Sequence, residues 1–221
     1  MPHSSAKPPV VLLHGLGRTR WSLWPVAREA ARRGHPVHNL GYPSRRAPIE
    51  ELAADVGQRV NQLAADQSVH VVTHSMGGIV LRAAVAAGVL PGASVRRVVM
   101  LAPPNHGSEL ADRLRDYVVY RLALGPAGQQ IGTDEHSVPL RLPPPPFEVG
   151  IIAGRRANNP LFARVLGDES DGKVTVASAR LDGMRELVVV DRSHTFIMWG
   201  PDVLAHIFSF LDTGRFVAPT R

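Results

Sequence analysis

No cysteine occurs in this 221-residue chain. That excludes a disulfide framework, a thiolate metal site and a cysteine nucleophile. No apolar stretch approaches the ~20 residues that a membrane-spanning helix needs. The opening "MPHSSAKPPVVLLHGLG" has only "VVLL" as an apolar core and no small-residue cleavage site, so it does not read as a secretory signal. It reads as a short tail ahead of a first strand, and the expected location is cytoplasmic. Lysine is scarce as well. All but Lys7 and Lys173 of the 25 basic residues are arginine, and the formal net charge is +6. The arginines fall in scattered pairs (Arg32-Arg33, Arg45-Arg46, Arg96-Arg97, Arg155-Arg156) and aromatics rarely interleave them. A nucleic-acid footprint would cluster on one face, so no nucleic-acid partner is expected.

What is present alternates. Short, β-branched runs read as buried parallel strands: "PVVLLHG" (9–15), "PVHNLGY" (36–42), "VHVVTHS" (69–75), "RRVVMLAPP" (96–104), "FEVGIIAG" (147–154) and "RELVVVD" (185–191). Stretches of helical period lie between them, at 21–34, 48–66, 76–88, 108–124 and 201–214. In "PIEELAADVGQRVNQLAAD", Ile49, Leu52, Ala53, Val56, Val60, Leu63 and Ala64 share one stripe behind Pro48. This alternation predicts a three-layer α/β/α sandwich: one domain over 1–221 around a mostly parallel sheet of about six strands. One long irregular connection is expected at 125–146, "GPAGQQIGTDEHSVPLRLPPPP". It reads either as a stiff crossover or as a small flap over a pocket.

Ligands of open parallel sheets sit beyond the carboxyl ends of the strands. Those ends carry His14-Gly15-Leu16-Gly17, His74-Ser75-Met76-Gly77, a loop with Asp168 and Asp171, and Ser193-His194. A serine between strand and helix is ordinarily an N-cap. Two glycines directly after Ser75 argue for something sharper, because Gly77 lets the new helix press against neighbouring backbone. A turn that tight lifts the Ser75 hydroxyl clear of the sheet edge, as a nucleophile requires.

A hydroxyl needs a base to take its proton. His194, in the loop between the last strand and the closing helix, is the best placed. His14 and His74 flank backbone turns and read as structural. His70 and His74 have metal-ligand spacing for a helix, but on a strand they stand ~13 Å apart. The base needs an orienting carboxylate. Asp171, pinned by the Asp171-Gly172 turn ahead of "VTV", is favoured, with Asp168 as the alternative. Acyl transfer also needs two fixed N–H donors for the oxyanion. Met76 would supply one and Leu16, in "HGLG", the other, with Gly15 permitting an unusual backbone angle. "HGLGRTR" lacks both the Gly-Lys-Ser/Thr ending of a phosphate loop and the third glycine of a dinucleotide fingerprint. No metal or organic cofactor is expected.

The motifs "VVLLHGLGR", "YPSR", "VHVVTHSMGGIV", "LAPPNHGS", "SDGKV" and "DRSHTFIM" resemble the α/β-hydrolase superfamily, and within it small bacterial lipases and esterases. The resemblance runs from about Val10 to Leu211. It implies Ser75 as nucleophile, His194 as base, Asp171 as orienter and the Leu16 and Met76 N–H groups as oxyanion hole. One departure stands out: the elbow pattern G-x-S-x-G begins here with Thr73, so the turn must make room for a bulkier residue. The family's first two strands are missing from the pattern, which implies a compact sheet, little room for a large cap and a fairly open site.

The activity implied is hydrolysis of small-molecule or lipid esters through an acyl-enzyme. The same groups would also serve an acyltransferase, thioesterase or amidase, and a non-catalytic binding module is the remaining alternative. Trp21, Leu23 and Trp24 after the first loop, and Phe196 with its neighbours after His194, are candidates for an acyl pocket. Ordinary core at helical spacing is the favoured reading of both sets.

Overall fold

The computed structural model describes residues 7–65, 67–157 and 169–218. Six strands form one sheet: β1 (Val10–Leu13), β2 (Val37–Leu40), β3 (Val69–His74), β4 (Val95–Leu101), β5 (Glu148–Gly154) and β6 (Glu186–Val190). Every pairing is parallel, in the order β2-β1-β3-β4-β5-β6. The first strand lies one in from an edge: the chain steps out to β2 and then winds the other way from β3 to β6, so loops from β1 and β3 meet at a reversal of strand order, where such sheets bind ligands.

Alternation along each strand feeds two apolar layers. Val11, Leu13, Val71, Val98 and Ile151 face one core, beneath α2 (Ile49–Leu63) and α3 (Met76–Ala86). Val10, Leu12, Val72, Val99 and Ile152 face the other, beneath α1 (Trp24–Arg32) and the C-terminal helix Pro201–Thr213. Both faces of the central strands are covered, which is why they read as unbroken apolar runs. The stripe predicted on α2 is the buried one: Ile49, Leu52, Ala53, Val56 and Val60 are all in the core. Pro48 is the residue just before the helix, and the orphan N–H of Ile49 is satisfied by the Gln130 side chain at 2.6 Å.

The segment between β4 and β5 departs from expectation. The helix expected over 108–124 is two helices, α4 (Glu109–Leu114) and α5 (Val118–Gln129), separated by a turn. α5 runs beyond residue 124 because Gly125, at φ 65°, absorbs a kink ahead of Pro126. A short turn, α6 (Val138–Arg141), follows. Residues 125–146 are therefore not one irregular connection; the extended part is confined to the proline run before β5. A further short helix, α7 (Val176–Ala179), precedes β6, and Pro201–Thr213 is α8. Among the described residues no helix is long and apolar enough to cross a membrane.

Candidate active site

β3 ends at His74 and α3 begins at Met76, so Ser75 alone makes the corner. Its backbone sits at φ 53°, ψ −129°, and its side chain makes no capping hydrogen bond. Positive φ in a serine is a strained state that must be held in place by its surroundings. Here the Ser75 N–H donates to Leu101 O at 2.8 Å and Gly78 N–H donates to Ser75 O at 3.0 Å. The two glycines each remove a clash. A Cβ on Gly77 would lie 2.5 Å from Leu13 O, and one on Gly78 would lie 3.1 Å from the Thr73 hydroxyl. Gly78 is thus what accommodates threonine at the first elbow position.

Three segments distant in sequence meet at this corner. His194 Nε2 is 3.0 Å from Ser75 Oγ, and His194 Nδ1 is 2.8 Å from Asp171 Oδ2. All three side chains are buried, at 9%, 5% and 3% exposure for Ser75, His194 and Asp171. The other Asp171 oxygen accepts the backbone N–H groups of Lys173 and Val174 at 2.9 and 2.8 Å. The His194 N–H donates to Asp171 O at 3.1 Å, locking the two loops together. A carboxylate fixed by two backbone donors can only accept from Nδ1, which leaves Nε2 to accept from the Ser75 hydroxyl. Asp168, the alternative orienter, lies outside the described residues.

Two further histidines support the arrangement. His74 Nε2 donates to the carbonyl of His194 at 2.9 Å. Burial, then the neighbouring His194 and the Arg18 and Lys173 cations, hold its pKa well below the ordinary value, so it stays neutral. His14 stacks on Tyr42 with ring centres 4.2 Å apart, and the Tyr42 hydroxyl donates to His14 O. This clamps the loop after β1. In that loop the need for glycine at position 15 is space rather than an unusual angle: a Cβ there would lie 3.0 Å from both His74 Nδ1 and Ser75 Cβ. The positive φ belongs to Gly17 instead. Among the described residues, the N–H groups of Leu16 and Met76 donate to no protein acceptor.

A cavity of about 280 Å³ opens over Ser75 and His194. Its apolar wall comes from Leu16, Leu110, Leu114, Leu124, Ile131 and Val174. Most of that wall belongs to α4, α5 and the turn after them, so the site is partly covered rather than fairly open. The suggested acyl-pocket residues are elsewhere. Trp21 is 64% exposed beneath the Arg20 guanidinium, Leu23 is buried in the core layer of α1 and α8, and Phe196 is exposed. The reason is local: a 3₁₀ turn at Arg20–Leu23 sends Trp21 outward and Leu23 inward, and neither faces the serine. Sequence reasoning also passed over Arg18 and Lys173, which line the cavity and stand inside the motifs "HGLGR" and "SDGKV".

The fold and this corner define an α/β enzyme scaffold, and the comparisons agree. The model of the alpha/beta hydrolase family matches residues 10–217, so the chain belongs to that family. Among solved structures it is similar to the mature form of the Bacillus licheniformis lipase BlEst2, with 23% identity, a TM-score of 0.77, and coverage of 94% of this chain and 93% of that one. It is also similar to the metagenomic carboxyl esterase MGS0156, with 21% identity, a TM-score of 0.69, and coverage of 88% and 66%. Aspergillus fumigatus lipase B gives 17% identity, a TM-score of 0.69, and coverage of 99% and 55%, so the chain spans about half of that protein. Among curated proteins nothing matches the sequence.

Proposed function

We propose that this hydrolase cleaves carboxylic esters through an acyl-enzyme on Ser75. The observation that carries the reading is the unbroken chain from Ser75 Oγ through His194 to Asp171, at 3.0 and 2.8 Å. It sits at the floor of an apolar cavity. Ser75 Oγ attacks the ester carbonyl carbon while its proton passes to His194 Nε2. The carbonyl π-electrons move onto oxygen, which the N–H groups of Met76 and Leu16 receive. Collapse of the intermediate breaks the C–O bond, and His194 returns its proton to the leaving alcohol. Water then attacks the acyl carbon, His194 takes the water proton, and the acid departs as Ser75 regains its hydrogen. Asp171 holds the imidazole orientation and balances its charge throughout. No cofactor enters this sequence.

The resemblance to lipases and an esterase supports an ester over other acyl substrates. So does the wall of Leu110, Leu114 and Leu124, which suits an alkyl acyl chain. The test is twofold. A fluorophosphonate should label Ser75 covalently, and a chain-length series of nitrophenyl esters should turn over with a maximum at medium length. An unlabelled serine together with no turnover at any length would leave a binding module as the better account. Transfer to an added alcohol outrunning hydrolysis would favour an acyltransferase.

A further inference from the structure

The cavity over Ser75 is apolar except on one side. There it carries two cations, Arg18 and Lys173, and among the described residues its lining holds no aspartate or glutamate. Neither cation is neutralised by an ion pair among the described residues. The Arg18 guanidinium spends one donor on the carbonyl of Thr195, at 2.5 Å, and the Lys173 ammonium makes no hydrogen bond among the described residues. The surroundings are unfavourable for charge. Lys173 is exposed as a residue; the protein packed around its ammonium, and then the Arg18 cation, lower its pKa from the ordinary lysine value against the weaker pull of Asp171. Two like charges that line one cavity with a buried serine favour an anion that joins them.

Their position says which half of a substrate that anion belongs to. His194 must hand its proton to the leaving alcohol, so the alcohol lies against His194. Arg18 is tied to Thr195, the residue after His194. Lys173 is tied through its backbone to Asp171, the partner of His194. Both cations therefore belong to segments bonded to the His194 loop, on the side from which the alcohol leaves, while the apolar wall from α4 and α5 is left for the acyl chain.

Resting on the reading of Ser75 as an ester-cleaving nucleophile, we propose that the preferred substrates are fatty-acyl esters of a phosphate-bearing alcohol, with the phosphate held between Arg18 and Lys173. Phosphate suits both partners, since arginine can grip two of its oxygens and lysine adds a point charge. The phosphate could sit on a soluble acyl ester or on a lipid headgroup.

The test compares kcat/KM for monomeric 1-octanoyl-glycerol with that for 1-octanoyl-glycerol 3-phosphate. A third arm presents 1-oleoyl-glycerol 3-phosphate in phosphatidylcholine vesicles, against 1-oleoyl-glycerol in the same vesicles. The phosphate should raise kcat/KM between about tenfold and about a hundredfold, and the preference should shrink with added NaCl. A preference confined to the soluble pair supports a soluble phosphate ester; one that persists on vesicles supports a headgroup. Arg18→Met and Lys173→Met should each bring the ratio toward one, while Lys173→Arg should preserve it. Equal rates for phosphorylated and neutral esters, or a ratio unmoved by both methionine variants, would overturn the phosphate assignment and leave ester hydrolysis standing. No turnover of any ester, together with no fluorophosphonate label on Ser75, would instead overturn the reading on which it rests.

Discussion

The carboxyl edge of the sheet and the α4–α5 segment that covers it face each other across one cavity, yet they are built differently. At the edge, Ser75, Asp171 and His194 are nearly inaccessible and each is fixed by several backbone hydrogen bonds. In the cover, Val119 and Leu122 are about four-fifths exposed, and the ties to the rest of the chain are few. Arg45 donates to Ala123 O, Gln130 bonds Ile49 and Glu50, and Ser108 donates to Lys173 O. Segments with few buried contacts open most readily. The lesson is a difference of build: the edge is buried and held by backbone hydrogen bonds, while the outer face of the cover is exposed and more lightly tied.

The sharpest way to break that comparison is at the edge itself. Ser75→Ala should lower ester turnover by about four orders of magnitude or more while far-UV circular dichroism stays unchanged. Retention of a tenth of the activity would show that the corner is not where chemistry happens. Next comes Gly77→Ala, whose new methyl meets Leu13 O and His14 O across rigid backbone. Urea unfolding should show a loss of about 3 kcal/mol or more, with activity falling alongside. An unaltered midpoint would mean that the elbow is looser than its contacts imply.

Acid should find the sheet before it finds the cover. Burial first, with help from the Arg96 cation, lowers the pKa of His70 to about 4. The unfolded chain takes up that proton nearer the ordinary value of about 6.5. Stability present at neutral pH is therefore lost as pH falls from about 6.5 to about 4, by up to about 3 kcal/mol from this residue. His74, also held neutral by burial, acts in the same direction. Urea midpoints measured across that window should fall in the wild type and fall less in His70→Gln.

A smaller effect tests the joint between the two regions. Arg82 on α3 is buried, donates to Asn105 and to the carbonyls of Pro139 and Leu142, and so ties the elbow helix to the end of the cover. Arg82→Met leaves those acceptors unpaired and should cost about 2 kcal/mol. Loosening the cover should raise KM more than it lowers kcat. Smallest of all, Leu122→Glu on the outer face of α5 should shift stability by less than about 0.5 kcal/mol. A larger loss would reveal that this face is covered after all.

Much of the edge was legible in the sequence. Five of the six strands fall within the apolar runs and β4 begins one residue ahead of its run, and "THSMGG" signalled a sharp corner because only a helix packed hard against backbone needs two glycines there. Asp171 stood out through the Asp171-Gly172 turn ahead of "VTV", and His194 through its place between the last strand and the closing helix. The cover was less legible. α5 carries apolar residues on its outer face, so its pattern has no clear buried stripe, and Gly125-Pro126 reads as a stop although the helix resumes past the kink. Trp21 and Phe196 attracted attention by size and nearness in sequence to Leu16 and His194. A turn or two of helix is enough to point such side chains away.

By itself, the sequence determined the layer order, the parallel sheet and the residue types at each strand end, because periodicity and turn chemistry are local. Only the tertiary structure decided that Asp171, His194 and Ser75 come within hydrogen-bond reach, that α4 and α5 wall the cavity, and that Arg18 and Lys173 line the same cavity. Those are distances between segments remote along the chain, and they exist only once packing of the two core layers has fixed where each loop ends.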